Sequence, residues 1–355
     1  MNLPLDVLKN STNPTYKLAD WLPKDKIVSK SLCQNPHPHL AVFLQENRDK
    51  IDIVALSNNH SPELIPILDA YMNDNRYHLG LLCGNPNAIS IIEKYLEMDP
   101  KLIDLLDWYH LSENPNAIPL LEKHLDKIWW VRVARNPNAM PILEKNLDIV
   151  DWSSLSENPN AIPLLEKHID KIFWITLSKN PNAIPLLEKN LDKVDWINLS
   201  GNPNAIPILE KHLDKVDLNK LYGLRNPDVL HIVETYPPDR LNWNRLSYNP
   251  YCLPLVEKHL DKISWIQFCS NKNPNTIPMI EKNLDKLDFN AWKCLSANAN
   301  AMHLLKTHPD KVDWSEIWTN PSIFEVDEER QMRDAMELDE ILDGPTPTKC
   351  PKIYR

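Results

Sequence analysis

Glycine is almost missing from this chain, at five in 355 residues. That excludes a collagen-like chain, Gly-rich linkers and the Gly-rich loops that cradle phosphates. No apolar run approaches the roughly 18 residues a membrane helix needs, so no membrane partner is expected. The opening Met1-Asn-Leu-Pro-Leu-Asp6 has neither the charged nor the apolar region of a signal peptide, so secretion is not expected. Positive charge is in short supply: 39 Lys and Arg stand against 49 Asp and Glu, a net charge of -10. That balance argues against a main task of neutralising nucleic-acid phosphates. There is no Cys-x-x-Cys, His-Glu-x-x-His, Gly-x-Ser-x-Gly or P-loop, and the chain reads as a non-enzyme without cofactor or metal. What it does have is 31 prolines, 12 tryptophans and 43% hydrophobic residues, enough apolar surface to exclude global disorder.

Repetition dominates. Asn114-Pro-Asn-Ala-Ile-Pro-Leu-Leu-Glu122 recurs almost unchanged from Asn136, Asn158, Asn180 and Asn202, 22 residues apart. Looser copies begin at Asn13, Asn35, Asn59, Asn85, Asn226, Asn249, Asn273, Asn298 and Asn320, giving about fourteen units of 22–29 residues. Within one unit, Asn116 suits a helix N-cap, and Pro119 falls in the first turn, where no intrahelical N–H is needed. Ile118, Leu120, Leu121 and Leu125 supply apolar contacts at helical spacing. His124, matched by Asn146, His168, Asn190, His212, His259, Asn283 and His308, stands where a helix-stopping Gly is usual. Asn and His enter left-handed backbone conformations more easily than most residues, so a left-handed stop is expected there.

A shorter element follows. Trp precedes the Asn-Pro by six residues at 108, 130, 152, 174, 196, 243, 292 and 314. Asp107, Asp151, Asp195, Asp313, Asn242 and Ser264 lie just before a Trp and are good N-caps. A Leu three residues after the Trp and a small Ser, Ala or Cys after that predict a short α or 3-10 turn with a tight packing spot. Asn-Pro breaks the turn, since the residue before Pro leaves the helical region. Neither piece is stable alone in water, and stacked neighbours must bury a shared core. The expected fold is all-α: a solenoid over residues 13–323, an N-terminal cap over 1–12, and an acidic helix and tail over 324–355. At about 8–10 Å per packed helix, fourteen units predict an open arc of roughly 110–140 Å.

The string Leu111-Ser-Glu-Asn-Pro-Asn-Ala-Ile-Pro-Leu-Leu-Glu-Lys123 resembles tandem repeats in proteins of nucleocytoplasmic large DNA viruses of algae and protists, over about residues 13–323. More distantly, Val131-Arg-Val-Ala-Arg-Asn-Pro137 and the helix after it resemble the leucine-rich variant repeat, a helix alternating with a 3-10 turn. Residues 59–105 and 221–243 depart from the pattern. The resemblance implies a scaffold or partner-binding role in the host cytoplasm or the virion, and it carries no catalytic residues.

The remaining chemistry reads as structural. His124, His168 and His212 share a register two units apart, roughly 16–20 Å, too far for a common metal. His37-Pro-His39 is the one close pair and lacks further ligands nearby. Cys33, Cys83 and Cys269 fill the slot of Ser112, and Cys252 that of Ala117, as small apolar fillers. The Trp register reads as core, and pairs such as Asp126-Lys127, Asp170-Lys171 and Asp192-Lys193 as a solvated charged ladder along one edge. Residues 325–343 hold 9 acidic and 2 basic residues, leaving the repeat region near -3 and without a basic stripe. Binding of nucleic acid or of a small molecule is therefore not the favoured reading.

Partner contact is expected where copies vary while their cores do not. The residues after each Trp qualify, as Tyr109, His110, Arg132 and Arg245. So do those before each Asn-Pro, as Arg135, Lys179, Arg225, Tyr248 and Lys272. The expected partner is a host or viral protein. The alternative uses of such a chain are a structural part of the virion or, third, an RNA-binding repeat.

Overall fold

The computed structural model describes residues 15–333 and 336. The chain is mostly helical, built from short α and 3-10 helices. In the regular region each unit pairs a Trp helix, such as Trp108–Glu113, with a second helix, such as Ile118–Lys123. The N-caps before Trp behave as their chemistry requires: Asp151 accepts from the Ser154 amide at 2.7 Å and Asp195 from that of Asn198 at 2.8 Å. Leu111, Leu155, Leu177 and Leu199 are fully buried behind them. In the departing region 59–105 the second helices lengthen to Ile65–Asn75 and Ile89–Met98. Gly80 is needed there, since a Cβ on it would stand 2.6 Å from the Leu105 carbonyl oxygen.

The Asn before each Pro is a structural rung. Asn158 Nδ2 donates to the carbonyls of Ala134 and Asn136, both at 2.9 Å, and its Oδ1 accepts from the Asn160 amide. Asn180 does the same to Ser156 and Asn158, and Asn202 to Ser178 and Asn180. Each amide is buried, and its three bonds use nearly its whole capacity. Asn116, expected as an N-cap, instead donates to the Pro86 carbonyl of the preceding unit, because Asn114 Oδ1 already takes the turn's free amide. Ser hydroxyls add a second tie. Ser156 Oγ donates to the Trp152 carbonyl and accepts from the Phe173 amide in the next unit. In the same slot Cys33 Sγ accepts from the Asp52 amide at 3.3 Å, so this cysteine is a link as well as a filler.

The rungs do not stop at the ends. Asn35 Nδ2 donates to the carbonyls of Trp318 (3.0 Å) and Asn320 (2.8 Å), the same pair of positions that Asn158, Asn180 and Asn202 use on the unit before them. The expected open arc is therefore a closed ring. Strand Tyr16–Leu18 pairs antiparallel with Phe324–Val326 across the seam, and the Ala19 amide donates to the Ile323 carbonyl. Asp25-Lys26-Ile27 completes the last unit from the other end of the chain. Lys26 lies over Trp314 at 4.5 Å as Lys171 lies over Trp152 at 4.7 Å. The segment expected to begin an acidic helix at 325 starts with a strand, and the helix begins after Asp327, which caps it. With a neighbour on both sides, no unit has a bare face for a terminal cap to shield. The proposed cap 1–12 and the copy at Asn13 lie outside the described residues, as does most of the acidic tail.

Two registers shift. Asn271, not Asn273, is the rung, donating to the Ser247 carbonyl, while Asn273 takes the Asn116 role on Pro250. Near 226 the rung position is Leu224, buried and apolar, and Asn226 reaches the Pro203 carbonyl. Among the described residues the ring has thirteen rung positions, twelve Asn and one Leu. At about 8–10 Å per unit its Trp-helix row is roughly 33–41 Å across, measured between axes.

Three further expectations are corrected. The residue after the second helix is not left-handed: His124 has φ -136 and ψ 49, and Asn146 φ -133 and ψ 40. Asn146 and Asn190 instead end the helix by donating Nδ2 to the carbonyl four residues back, at 2.8 Å. His124, His168 and His212 pack their rings on Trp108, Trp152 and Trp196 of their own units. Leu125, expected among the apolar contacts, is 40% exposed. Several lysines of the Asp-Lys pairs leave the expected charged ladder to lie over indole faces, Lys171 on Trp152, Lys193 on Trp174 and Lys215 on Trp196, while Lys127 pairs with Asp104 at 3.0 Å. There the cation meets the negative ring face and its methylenes cover apolar surface.

Candidate interaction face

Consecutive Trp helices pack directly on one another around the ring, Trp108–Glu113 on Trp130–Arg135 on Trp152–Glu157, and Ser29–Cys33 on Ile317–Thr319 across the seam. Among the described residues, consecutive second helices do not come so close. In a closed circle the crowded row is the inner one, so the Trp helices form the inner wall and the second helices the outer.

A cavity of about 950 Å³ lies on that wall. Its lining runs from Tyr248 through Ile266, Lys272 and Lys293 to Pro321 and, beyond the seam, Pro36. Residues from five consecutive units thus share one concavity. Most come from three kinds of position: just after the Trp, just before the rung, and just after it. The first two kinds vary from unit to unit, while the third is Pro in most units and departs from it at His60, Arg225, Lys272 and Ala299.

The nine residues singled out from sequence divide accordingly. Tyr109, His110, Arg132 and Arg245 follow the Trp position, and Arg135, Lys179 and Tyr248 precede a rung. Arg225 and Lys272 directly follow rung positions 224 and 271, because the registers there are shifted. Tyr109, Arg132 and His110 come together. The Arg132 guanidinium lies 3.9 Å over the Tyr109 ring and pairs with Glu113 at 2.6 Å. Trp129 packs edge-on against Tyr109, and His110 Nδ1 is 2.8 Å from Asp107. Arg135 reaches Glu157 at 3.6 Å. Arg245 donates to the Asn219 carbonyl, and Tyr248 and Lys272 line the cavity. Lys179 and Arg225 are exposed and form no ion pair among the described residues.

Sequence reasoning missed Lys30, Lys220, Lys293 and Glu316 at these positions. Lys30 and Lys220 sit in units without Trp, so the marker residue was absent. Lys293 follows Trp292 and was open to the same rule; it pairs with Glu316 at 3.4 Å. Trp265, six residues before Asn271, held the signal for the shifted rung.

Burial pushes the Cys83, Cys252 and Cys269 thiols up to about 12 and Cys33 to about 11, which keeps them protonated and poorly nucleophilic. Among the described residues no group of His, Cys, Asp or Glu could hold a metal ion, and no helix is long and apolar enough to cross a membrane. Compared with protein-family models, with curated proteins and with solved structures, the chain matches none.

Proposed function

We propose that this chain is a non-catalytic protein-interaction scaffold whose binding face is the inner wall of the ring. One observation carries the reading. Rungs, buried leucines and serine ties repeat from unit to unit, while the positions that line the concavity change: Tyr109, Val131, Ser153, Ile175 and Ile197 occupy one and the same register. A repeat that only held a shape would not need that variety. Arg and Tyr, prominent among these positions, anchor protein interfaces well. In the setting its repeats resemble, the partner is a protein of a large DNA virus or of its host.

Affinity purification of the tagged chain with crosslinking and mass spectrometry tests this. A partner at stoichiometric amount, crosslinked to inner-wall residues and lost on Tyr109→Ala with Tyr248→Ala, supports the reading. A partner that crosslinks only to the outer helices, and ignores those substitutions, sinks it.

A further inference from the structure

The inner wall and the rest of the molecule carry opposite charge. Over the three kinds of position that line the concavity there are nine Lys and Arg and three Glu, a surplus of +6 in a chain whose net charge is -10. Everything else therefore totals -16. The three carboxylates are each matched by a cation: Glu113 by Arg132, Glu157 by Arg135, Glu316 by Lys293. The six others, Lys30, Lys179, Lys220, Arg225, Arg245 and Lys272, are exposed and form no ion pair among the described residues. The reading from sequence that no basic stripe exists does not survive folding, because its members come from separate units.

The geometry shows why these cations stay open. At one joint Arg132 faces Glu113, the residue before the preceding rung. At the corresponding place in another joint Lys220 faces Gly201, where an added Cβ would lie 3.7 Å from the Lys220 Cβ. No carboxylate is supplied there. The rung amides cannot serve an anion either, since their donors are spent on carbonyls within the ring. Between the cations stand exposed aliphatic side chains: Val131 at 48%, Ile175 at 62% and Ile197 at 55%.

We infer that the inner wall is a docking channel for an extended acidic segment of a partner protein, with aliphatic side chains set between its carboxylates. This rests on the scaffold reading and names the chemistry of the partner. The aliphatics favour a peptide over single-stranded RNA, which takes aromatic stacking platforms along a basic groove. Along the stretch from Ile175 to Arg245 the wall offers Ile, Thr, Asn, Gly, Pro, Lys and Arg at these positions, and the next exposed ring is Tyr248, so rings are too sparse for a run of stacked bases. The net negative charge of the rest of the chain works against such a segment binding elsewhere and favours the channel.

The test uses the full chain and a fluorescein-labelled peptide of about twelve residues mixing Glu and Asp with Leu and Ile, the span of a typical bound linear segment. A Lys-for-Glu version of the peptide and an oligouridylate serve as rival probes. The acidic peptide is expected to bind saturably, to weaken as salt is added, and to lose about tenfold in affinity on combined Lys179→Glu, Lys220→Glu and Arg245→Glu. Outer-helix reversals Lys123→Glu, Lys167→Glu and Lys189→Glu should leave it unchanged. The Gln versions of the inner set, which add no repulsion, guard against misfolding and should give a smaller loss in the same direction. Absence of acidic-peptide binding, equal loss from the outer set, or tighter binding of the oligouridylate each overturns the inference. The scaffold reading fails separately. A cellular partner captured as well by the inner-reversed chain as by the native one leaves the scaffold standing and removes the acidic segment.

Discussion

The joint at Asn158 and the joint at Asn35 make the same bonds. Asn158 donates to Ala134 and Asn136, and Asn35 to Trp318 and Asn320. The difference is that the first joint links units joined by chain, and the second links the two ends. The seam compensates for the missing peptide connection in three ways. It adds a strand pair between 16–18 and 324–326, a fully buried Trp318 whose Nε1 donates to the Lys26 carbonyl at 2.8 Å, and an aromatic group around Phe324. The interface that builds the ring is thus also the one that shuts it, reinforced where covalent continuity ends.

That comparison can be broken hardest at Trp318. Trp318→Ala should lower the unfolding free energy by about 3–5 kcal/mol, as for other large buried aromatics. X-ray scattering should show a larger radius of gyration as the ring opens. An unchanged radius would mean the strand pair alone holds the seam. Next come the rungs. Asn35→Ala and Asn158→Ala each strip two carbonyls and one amide of a buried partner, and each should cost about 2–4 kcal/mol in chemical denaturation. Near-equal losses are the signature of a closed ring, whereas an arc open in solution would feel only the second.

Acid should weaken the seam selectively. His37 and His39 sit half-buried against Tyr16 and Phe324, and burial holds both below the ordinary imidazole value. His37 and Arg330 press His39 the same way, and Glu46 opposes them. The unfolded chain takes up these protons first as pH falls, so stability is complete above about 6.5 and drains away below it, toward the folded values. Melting should come about 2–4 °C lower at pH 5 than at pH 7.5, and His37→Gln with His39→Gln should flatten that difference. The smallest effect is expected at the odd joint. Leu224→Asn restores an amide facing the Ser200 and Asn202 carbonyls but removes buried apolar surface, and the two should cancel to within about 1 kcal/mol. A gain well beyond that would show the Leu to be a tolerated defect.

Helices, the caps before Trp and the buried Leu row were legible because each depends on residues close in sequence, whereas most Trp of the register, expected as core, are only half-buried against it. Asp195 caps the turn it begins, and Pro119 sits where a helix accepts it. The rungs were half legible. The Asn stood out by repetition, but its partners lie 22 to 24 residues back, so it read as a local breaker. The left-handed stop failed because a side-chain amide at Asn146 caps the helix without any change of handedness. Closure was not legible at all. It is the sum of thirteen small rotations, and no single residue encodes it. The inner charge was hidden for the same reason: Lys179, Lys220 and Arg245 belong to separate units and share a wall only once those units line the ring.

A last unit finished by the opposite terminus fixes the copy number. Open rows of repeats gain or lose a member by simple duplication, each new one adding length and nothing else. Here an extra 22-residue insertion would leave Lys26 short of Trp314 and Asn35 out of register with Asn320, so every joint would have to bend a little less for the circle to meet again. Such a gene can drift freely in the residues facing the hole, yet it can change its number of turns only all at once.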